Sequence, residues 1–369
     1  MGTLRFFLAL CVVAFHLTLP SLAIVGPLAV NFFYVISGFL ITMRLNETYK
    51  FNFPAFALNR VLRLYPAYLV TVAATIALLI LHPSARAFNW HWQGAINPGD
   101  IVGNIFILPW SILADPMMPD ITGLGLLTSP TVRFRLIPTI WSIGIELSCY
   151  LILFLFAARS VRRATIALIL AAAWQLSFAL QNPASGMVYF PIPAAMLPFS
   201  LGAIAYFIRK RIPGPTSDNG LIARCSAIAL VFLVNWWLDS PSSIGSPSFW
   251  SNYAIAFVGV LLIQTVRPKN ARTKSVDQFL GDISYPLFLC HYVATAITFY
   301  AFGGTAPVWG WHMFAIGIVP SIGMAVAITL LVDQRFVNLR GKIRSTSETS
   351  IKVTFETYGH LFADARKRS

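Results

Sequence analysis

Ten apolar runs, each close to the roughly 20 residues that a bilayer-spanning helix needs, follow one another along the chain. Of its 369 residues, 57% are hydrophobic and 11% are charged, whereas soluble domains have about 45–50% and about 25%. A soluble globular domain is therefore excluded. We expect an all-α fold, a polytopic membrane helix bundle of about ten transmembrane helices. The predicted runs are 4–24, 26–44, 64–81, 138–157, 164–181, 193–208, 221–238, 250–266, 283–302 and 312–332.

The basic residues predict how the bundle is oriented. Short loops that stay in the cytoplasm carry an excess of Lys and Arg. If the N-terminus lies inside, 24 of the 27 Lys and Arg residues fall on the cytoplasmic side, and the exceptions are Arg86, Arg133 and Arg135. Both termini are therefore expected in the cytoplasm. The net charge of +14 is then a topology signal rather than a nucleic-acid footprint, and the expected partner is the lipid bilayer.

Three segments lie outside this pattern of apolar runs. Residues 51–63 form an amphipathic stretch that leads into the third helix. The connection 82–137 is long enough to be functional, since loops of this length are seldom plain connectors. We expect a transmembrane domain over 1–332 and a basic cytoplasmic tail over 333–369.

The four cysteines offer no paired spacing. They lie in or beside predicted helices, so we expect buried, inert thiols rather than disulfides or a metal site. They are Cys11, Cys149, Cys225 and Cys290.

Three ionisable residues lie well inside the apolar runs: His16, Glu146 and His291. Such residues are costly within a membrane and are functional candidates by default. At 1.5 Å per residue, His16 lies ~18 Å from the inner end of its helix, Glu146 ~12 Å from the outer end and His291 ~12 Å from the inner end. All three can therefore meet at mid-depth. The alternative is that they serve only as hydrogen-bonding groups between helices.

Arg5 and His16 share one face of the first helix, because eleven steps of about 100° bring the second side chain back within ~20° of the first. A guanidinium at the mouth can hold a phosphorylated donor, and a deeper imidazole can act as a general base. The alternative is a topology-setting Arg and a His that is hydrogen-bonded in a helix interface.

Ser142 and Glu146 lie four residues apart on one helix face, after Trp141. A buried carboxylate there can support an imidazolium, as in a catalytic triad, or can simply join helices. Arg60 and Arg63 lie three apart at the predicted inner interface. They form either a phosphate clamp or another topology signal.

Five motifs follow one another along the chain: Arg5 with His16 eleven positions later, the FFYVISGFLI segment at 32–41, RVLRLYP at 60–66, WSIGIE at 141–146 and SYPLFLCH at 284–291. In these motifs the sequence resembles the acyltransferase 3 family of bacterial inner-membrane O-acyltransferases.

The resemblance implies transfer of an acyl group, usually acetyl from cytoplasmic acetyl-CoA, to a sugar hydroxyl of a cell-envelope polysaccharide, lipopolysaccharide or exported glycoconjugate. It implies that Arg5, Arg60 and Arg63 bind the donor. His16 would then act as the base or carry the acyl group, and Glu146 would support it. Further substrate or supporting roles fall on Ser37, Trp141, Ser142, Ser284, Tyr285 and His291. No metal is expected, and the location is the bacterial inner membrane.

A proton-coupled secondary transporter is the competing hypothesis, because it also places His and Glu at mid-depth. Such proteins commonly have two related halves, and we find no such symmetry in this sequence. The sequence leaves four points open: the acceptor sugar, the acyl chain, whether transfer is direct or proceeds through an acyl-enzyme intermediate, and the oligomeric state.

Overall fold

The computed structural model describes residues 1–19, 21–116, 118–119, 128–212, 216–217, 220–240, 243–267 and 270–344; 345–369, in the predicted tail, lie outside the described residues. The described chain is almost entirely helical. Its helices are α1 (Gly2–Thr18), α2 (Val25–Arg44), α3 (Phe53–Leu81), α4 (Pro98–Phe106), α5 (Ile140–Leu155), α6 (Val161–Ala179), α7 (Ile192–Ile208), α8 (Leu221–Leu238), α9 (Pro247–Gln264), α10 (Ala271–Ala301) and α11 (Trp311–Leu331). Two short strands, β1 (Thr216–Ser217) and β2 (Val266–Arg267), pair in parallel.

The helices confirm the all-α membrane class. Within the described residues, 6 helical stretches are long and apolar enough to cross a membrane: Val25–Tyr49, Phe53–Leu81, Gly186–Ile208, Leu221–Leu238, Ala271–Ala301 and Trp311–Arg344. Gly2–Thr18 and Ile140–Leu155 are apolar but shorter, and helices of this length span less than the ~30 Å hydrocarbon core. The count of ten spans and the orientation of the termini stay predictions.

Two helices begin well before their apolar runs. The α3 helix starts at Phe53, where the Asn52 side chain accepts a hydrogen bond from the Ala55 amide at 3.1 Å. The α10 helix starts after Asn270, which caps the Arg272 amide at 2.9 Å. From Phe53 onward the predicted amphipathic stretch is therefore continuous with the third helix, because a capped helix extends through polar turns that hydropathy does not mark.

The first part of the predicted tail packs against the bundle. Residues Asp333–Phe336 form a 3₁₀ turn directly after α11. The buried Asn59 side chain of α3 donates a hydrogen bond to the Arg340 carbonyl at 3.1 Å. This contact fixes the start of the tail beside the Arg60 and Arg63 pair; the domain boundary at 332 stays a prediction.

Close backbone contact joins α2 to α7. A Cβ atom added at Gly202 would collide with the Val35 carbonyl, and one added at Gly38 would collide with the Phe199 carbonyl. Small residues at such positions let helix backbones approach within a membrane, where packing drives association. The contact fixes α2 at Gly38, next to Ser37.

Two buried ion pairs hold the connection between α3 and α5. Arg133 Nη1 lies 3.1 Å from Asp100 Oδ1, and Arg135 Nη2 lies 2.8 Å from Asp115 Oδ2. The Arg135 guanidinium also lies over the Trp110 ring, 5.0 Å from its centroid. Arg133 and Arg135 are exceptions to the predicted cytoplasmic location of Lys and Arg. Their pairing with carboxylates inside the fold gives these exceptions a structural cause.

The four cysteines are free and buried, as predicted from their positions in apolar helices.

Candidate active site

Two adjoining cavities lie inside the bundle. The smaller, which we call the Glu146 cavity, has a volume of about 50 Å³. The larger, the His16 cavity, has a volume of about 520 Å³. Val30, Ser142 and Phe288 line both, so these three residues form the partition between them.

Hydrogen bonds between helices hold this partition. Tyr34 of α2 donates its hydroxyl proton to the Ser142 carbonyl of α5 at 3.1 Å. Thr139 donates to the Phe288 carbonyl of α10 at 3.3 Å, and the Ser142 hydroxyl donates to the Thr139 carbonyl at 2.9 Å. The predicted supporting residue Ser142 is therefore part of the wall between the two cavities.

The Glu146 carboxylate is fixed by two hydroxyl groups. Ser37 Oγ donates to Glu146 Oε1 at 2.7 Å, and the Tyr150 hydroxyl donates a short hydrogen bond to the same oxygen. Ser37 lies on α2 and Tyr150 lies one turn after Glu146 on α5. The carboxylate therefore has a defined orientation beside the smaller cavity.

Arg5 lines the same cavity from α1. Within the described chain its guanidinium makes no hydrogen bond or ion pair with a side chain. The start of α1 is fixed by Thr3, whose amide and hydroxyl both donate to Asp277 Oδ1 of α10 at 2.8 Å. A positioned cation thus lies in a small cavity together with a carboxylate.

Two other predicted residues also line the Glu146 cavity, both on α10. Ser284 donates its hydroxyl proton to the Gly281 carbonyl at 2.7 Å. Tyr285 donates to the Leu64 carbonyl of α3 at 3.1 Å. Both hydroxyls are committed to backbone carbonyls, so in this structure their protons support helix packing.

The imidazole rings of His16 and His291 stack in parallel, with centroids 5.2 Å apart and an interplanar angle of 6°. His291 Nδ1 lies 2.9 Å from the Phe288 carbonyl. Because a carbonyl only accepts, Nδ1 carries the proton and Nε2 has the lone pair. His16 Nδ1 and His291 Nε2 are both buried without a hydrogen-bond partner in the described chain.

Of the three predicted mid-depth residues, the structure brings two together. His16 contacts His291, whereas Glu146 lines the cavity on the other side of the partition. Within the described residues no hydrogen bond joins His16 to Glu146, since the carboxylate is engaged by Ser37 and Tyr150. Any support that Glu146 gives to His16 therefore acts at a distance in this structure, not by the direct contact of a triad.

Aromatic side chains form much of the His16 cavity. Trp141 packs against Tyr189 and Phe190, with ring centroids 5.7 and 5.0 Å away. Trp90 and His91, from the long connection, line the same space. A mostly apolar cavity with aromatic rings and a few polar groups is typical of a small-molecule site.

Arg60 and Arg63 lie outside both cavity linings, on α3. Arg63 Nη1 pairs with Asp282 Oδ1 at 3.2 Å, and it is close enough to Arg5 for their charges to interact. The Arg60 guanidinium lies 6.0 Å from the Phe56 ring centroid, and its Nε is buried without a partner in the described chain. The two arginines flank the end of the bundle at which Arg5 lies.

Sequence reasoning missed two groups that contribute to the site: Tyr150, which bonds to Glu146, and Asp282, which pairs with Arg63. Tyr150 follows Glu146 by one helical turn, a spacing that predicts side-chain contact. Asp282 lies two residues before Ser284, the first residue of the SYPLFLCH segment, but it comes close to Arg63 only through the packing of α3 against α10. Within the described residues, no cluster of three or more His, Cys, Asp or Glu side chains is placed to hold a metal ion.

Comparison with known families decides the class. Residues 2–331 match the acyltransferase domain of the acyltransferase 3 family. The chain belongs to the acyltransferase 3 family. The match includes α1 to α11 and the residues of both cavities, so the predicted resemblance is confirmed. Comparison with curated proteins and with solved structures finds no match. As a member of the acyltransferase 3 family with membrane-spanning helices, the chain is a multi-pass membrane acyltransferase.

Proposed function

We propose that the protein transfers an acetyl group from cytoplasmic acetyl-CoA to a sugar hydroxyl of a cell-envelope polysaccharide, lipopolysaccharide or exported glycoconjugate, in the bacterial inner membrane. One observation carries the proposal: a small cationic cavity adjoins a large cavity that contains an imidazole pair. Each cavity suits one substrate, and the partition is where the acyl group changes carrier.

The Glu146 cavity suits the acyl end of the donor. Arg5 lines it, while Arg63 and Arg60 lie toward the end of the bundle where the phosphates of CoA would be held. One water needs a cavity of ~10–15 Å³, so a volume of about 50 Å³ holds only a few such groups. This size supports acetyl over a long acyl chain.

The His16 cavity suits the acceptor. Its volume of about 520 Å³ lies within the ~300–1,000 Å³ of small-molecule sites. Trp141 and Tyr189 give flat apolar faces against which a sugar ring can pack, and imidazoles supply polar contacts. The expected acceptor is a glycan of which one sugar unit enters the His16 cavity.

In the proposed reaction, His16 takes the proton of the acceptor hydroxyl as that oxygen attacks the thioester carbonyl. The carbon–sulfur bond breaks, and the CoA thiolate leaves and takes up the proton that His16 received. The stacked His291 ring presents its π face to the transient imidazolium, a favourable arrangement for a cation. An acyl group carried briefly on His16 would need the same imidazole.

Proton-coupled transport remains the alternative, and family membership favours acyl transfer over it. A transporter would move a solute across a proton gradient without consuming acetyl-CoA. The two functions therefore separate in one assay.

The test uses the purified protein in lipid nanodiscs with radiolabelled acetyl-CoA and a panel of methyl glycosides of glucose, galactose, mannose and rhamnose. We expect labelled glycoside from the wild type and a loss of about 10²–10⁴-fold in His16→Ala. His312→Ala is the matched control, since His312 is exposed on α11 and lines neither cavity. Glu146→Gln should also lower transfer. Wild-type transfer by His16→Ala would sink the mechanism.

A further inference from the structure

The long connection between α3 and α5 brings one histidine into the His16 cavity. His91 lies in a 3₁₀ turn, Trp90–Trp92, and is only 5% exposed. It lines the same cavity as His16 and is close enough for the two rings to interact electrostatically. It belongs to none of the five sequence motifs.

The structure fixes the tautomer of His91. Its Nδ1 lies 3.0 Å from the Arg133 carbonyl, which can only accept, so Nδ1 carries the proton and Nε2 has a lone pair. Within the described chain His91 Nε2 makes no hydrogen bond. Unlike His16 Nδ1 and His291 Nε2, it is not one of the unpartnered atoms that are fully buried from solvent. This lone pair is therefore left for the cavity that the ring lines.

The connection holds this ring firmly. Arg133, whose carbonyl meets His91 Nδ1, forms the buried ion pair with Asp100. Arg135 donates its backbone amide to the His91 carbonyl at 3.3 Å and pairs with Asp115. Two buried ion pairs thus fix the segment of Arg133 and Arg135, which is hydrogen-bonded to both the ring and the backbone of His91.

His91 also stays uncharged near neutral pH. Burial, and then the positive charge of Arg135, lower the pKa of His91 below its usual value. A neutral imidazole with a fixed Nδ1–H acts as a hydrogen-bond acceptor through Nε2 and does not compete with His16 for the proton of the reaction.

The geometry points to His91 as an acceptor-binding residue, whose Nε2 accepts a hydrogen bond from a sugar hydroxyl other than the one that is acylated. The inference rests on the proposed function and adds a residue that selects which hydroxyl faces His16. A polar site that binds a hydroxyl discriminates against the analogue that lacks it, because the polar atom is then left unpaired.

The test compares His91→Asn with His91→Gln in nanodiscs. The Asn amide can still donate to the Arg133 carbonyl but leaves nothing at the Nε2 position, whereas the Gln amide reaches that position. His82→Asn is the matched control, since His82 is exposed in the same connection and lines neither cavity. The acceptors are the best methyl glycoside of the panel and the full set of its monodeoxy analogues, one for each free hydroxyl.

With the wild type we expect two of the deoxy analogues to react less well than the parent, for different reasons. One loses the acylated hydroxyl and gives no product, and another gives product with a KM raised about tenfold. His91→Asn should raise the KM for the parent glycoside to match the second analogue, His91→Gln should restore part of the difference, and His82→Asn should behave as the wild type.

The opposing outcomes are distinct. If His91→Asn keeps the wild-type preference for the parent over every deoxy analogue, the inference is wrong while the proposed function stands. If His91→Asn only impairs folding, kcat falls equally for all acceptors and the preference for the parent glycoside stays. That result also overturns the inference. If the wild type acetylates no glycoside, the sugar-acceptor proposal itself fails, and the inference fails with it.

Discussion

His16 and His291 lie face to face, with their ring planes within 6° of parallel and their centroids 5.2 Å apart. The two residues are on different helices, α1 and α10, so the stack depends on how these helices pack. Neither ring is hydrogen-bonded to a carboxylate within the described chain. The neighbour that can stabilise a charged His16 is therefore another aromatic ring.

This stack predicts graded effects at His291. His291→Phe keeps a flat ring beside His16, whereas His291→Ala removes it and leaves a void. We expect kcat to fall about tenfold in the first and about a hundredfold in the second, since orientation of the base is lost in steps. Steady-state kinetics with saturating glycoside measures both; equal kcat values in the two variants would argue against the role of the stack.

The Arg63–Asp282 pair predicts a donor effect. Arg63→Ala should raise the KM for acetyl-CoA about tenfold or more and leave the KM for the glycoside unchanged, because the proposed charge-assisted contact between Arg63 and the phosphates of CoA would be lost. Arg162→Ala is the control, since Arg162 is an exposed cation at the start of α6. Equal donor KM values in the two variants would mean that Arg63 serves topology alone.

The contact between α2 and α7 predicts a cost for one methyl group. Gly202→Ala should destabilise the bundle by about 1–3 kcal/mol, because its Cβ would meet the Val35 carbonyl. Gly323→Ala should leave stability unchanged or slightly raised, since nothing lies within 4 Å of a Cβ there and Ala is the better helix former. Thermal unfolding in detergent compares the pair, and equal melting temperatures would contradict the close approach.

Burial of a neutral His91 predicts a dependence of stability on pH. Because the folded-state pKa lies below the unfolded value of about 6.5, the unfolded chain binds the extra proton first as pH falls. Stability from this group is therefore complete above about pH 6.5 and declines below it, by up to about 2 kcal/mol at pH 5. Arg135, whose positive charge acts on His91, has a pKa lowered by burial to about 10, so it stays protonated across this range and leaves the sign unchanged.

The measurement is the loss in melting temperature between pH 7.5 and pH 5. We expect a smaller loss in His91→Asn than in the wild type and an unchanged loss in His82→Asn. A larger loss in His91→Asn than in the wild type would show that His91 is protonated in the folded protein.

The charge pattern predicts the orientation. In a background without the four buried cysteines, Ser160→Cys should react with a membrane-impermeant thiol reagent only from the cytoplasmic side, and Ser243→Cys only from the opposite side. Labelling of intact cells and of inverted vesicles distinguishes the two. The reverse pattern would exchange the sides of donor and acceptor.

Hydropathy found where the helices lie but not where all of them begin. The early turns of α3 and α10 follow the Asn52 and Asn270 caps, but their charged residues keep them out of an apolar run. These are Arg60 and Arg63 in α3 and Arg272, Lys274 and Asp277 in α10. Cys11, Cys149, Cys225 and Cys290 were correctly placed as buried, because a thiol in an apolar helix has few alternatives.

The sequence predicts which candidate residues share a helix face but not which residues of other helices they contact, and their functional roles stay predictions. Helical periodicity is a local property, so it places Arg5 and His16 on one face but says nothing of what lies opposite. The His16–His291 stack and the Asp282 partner of Arg63 depend on packing between distant helices. His91 belongs to none of the motifs. Only the structure shows that it lines the His16 cavity and that buried ion pairs hold the segment it contacts.

The partition of Val30, Ser142 and Phe288 has a consequence for the membrane itself. An open aqueous passage from one cavity to the other would let protons and ions leak across the bilayer and dissipate the energy stored there. With the wall in place, the proposed reaction needs only a two-carbon fragment to pass, while CoA and glycan each stay in their own compartment. Such an enzyme can turn over continuously in an energised membrane without dissipating the ion gradients across it.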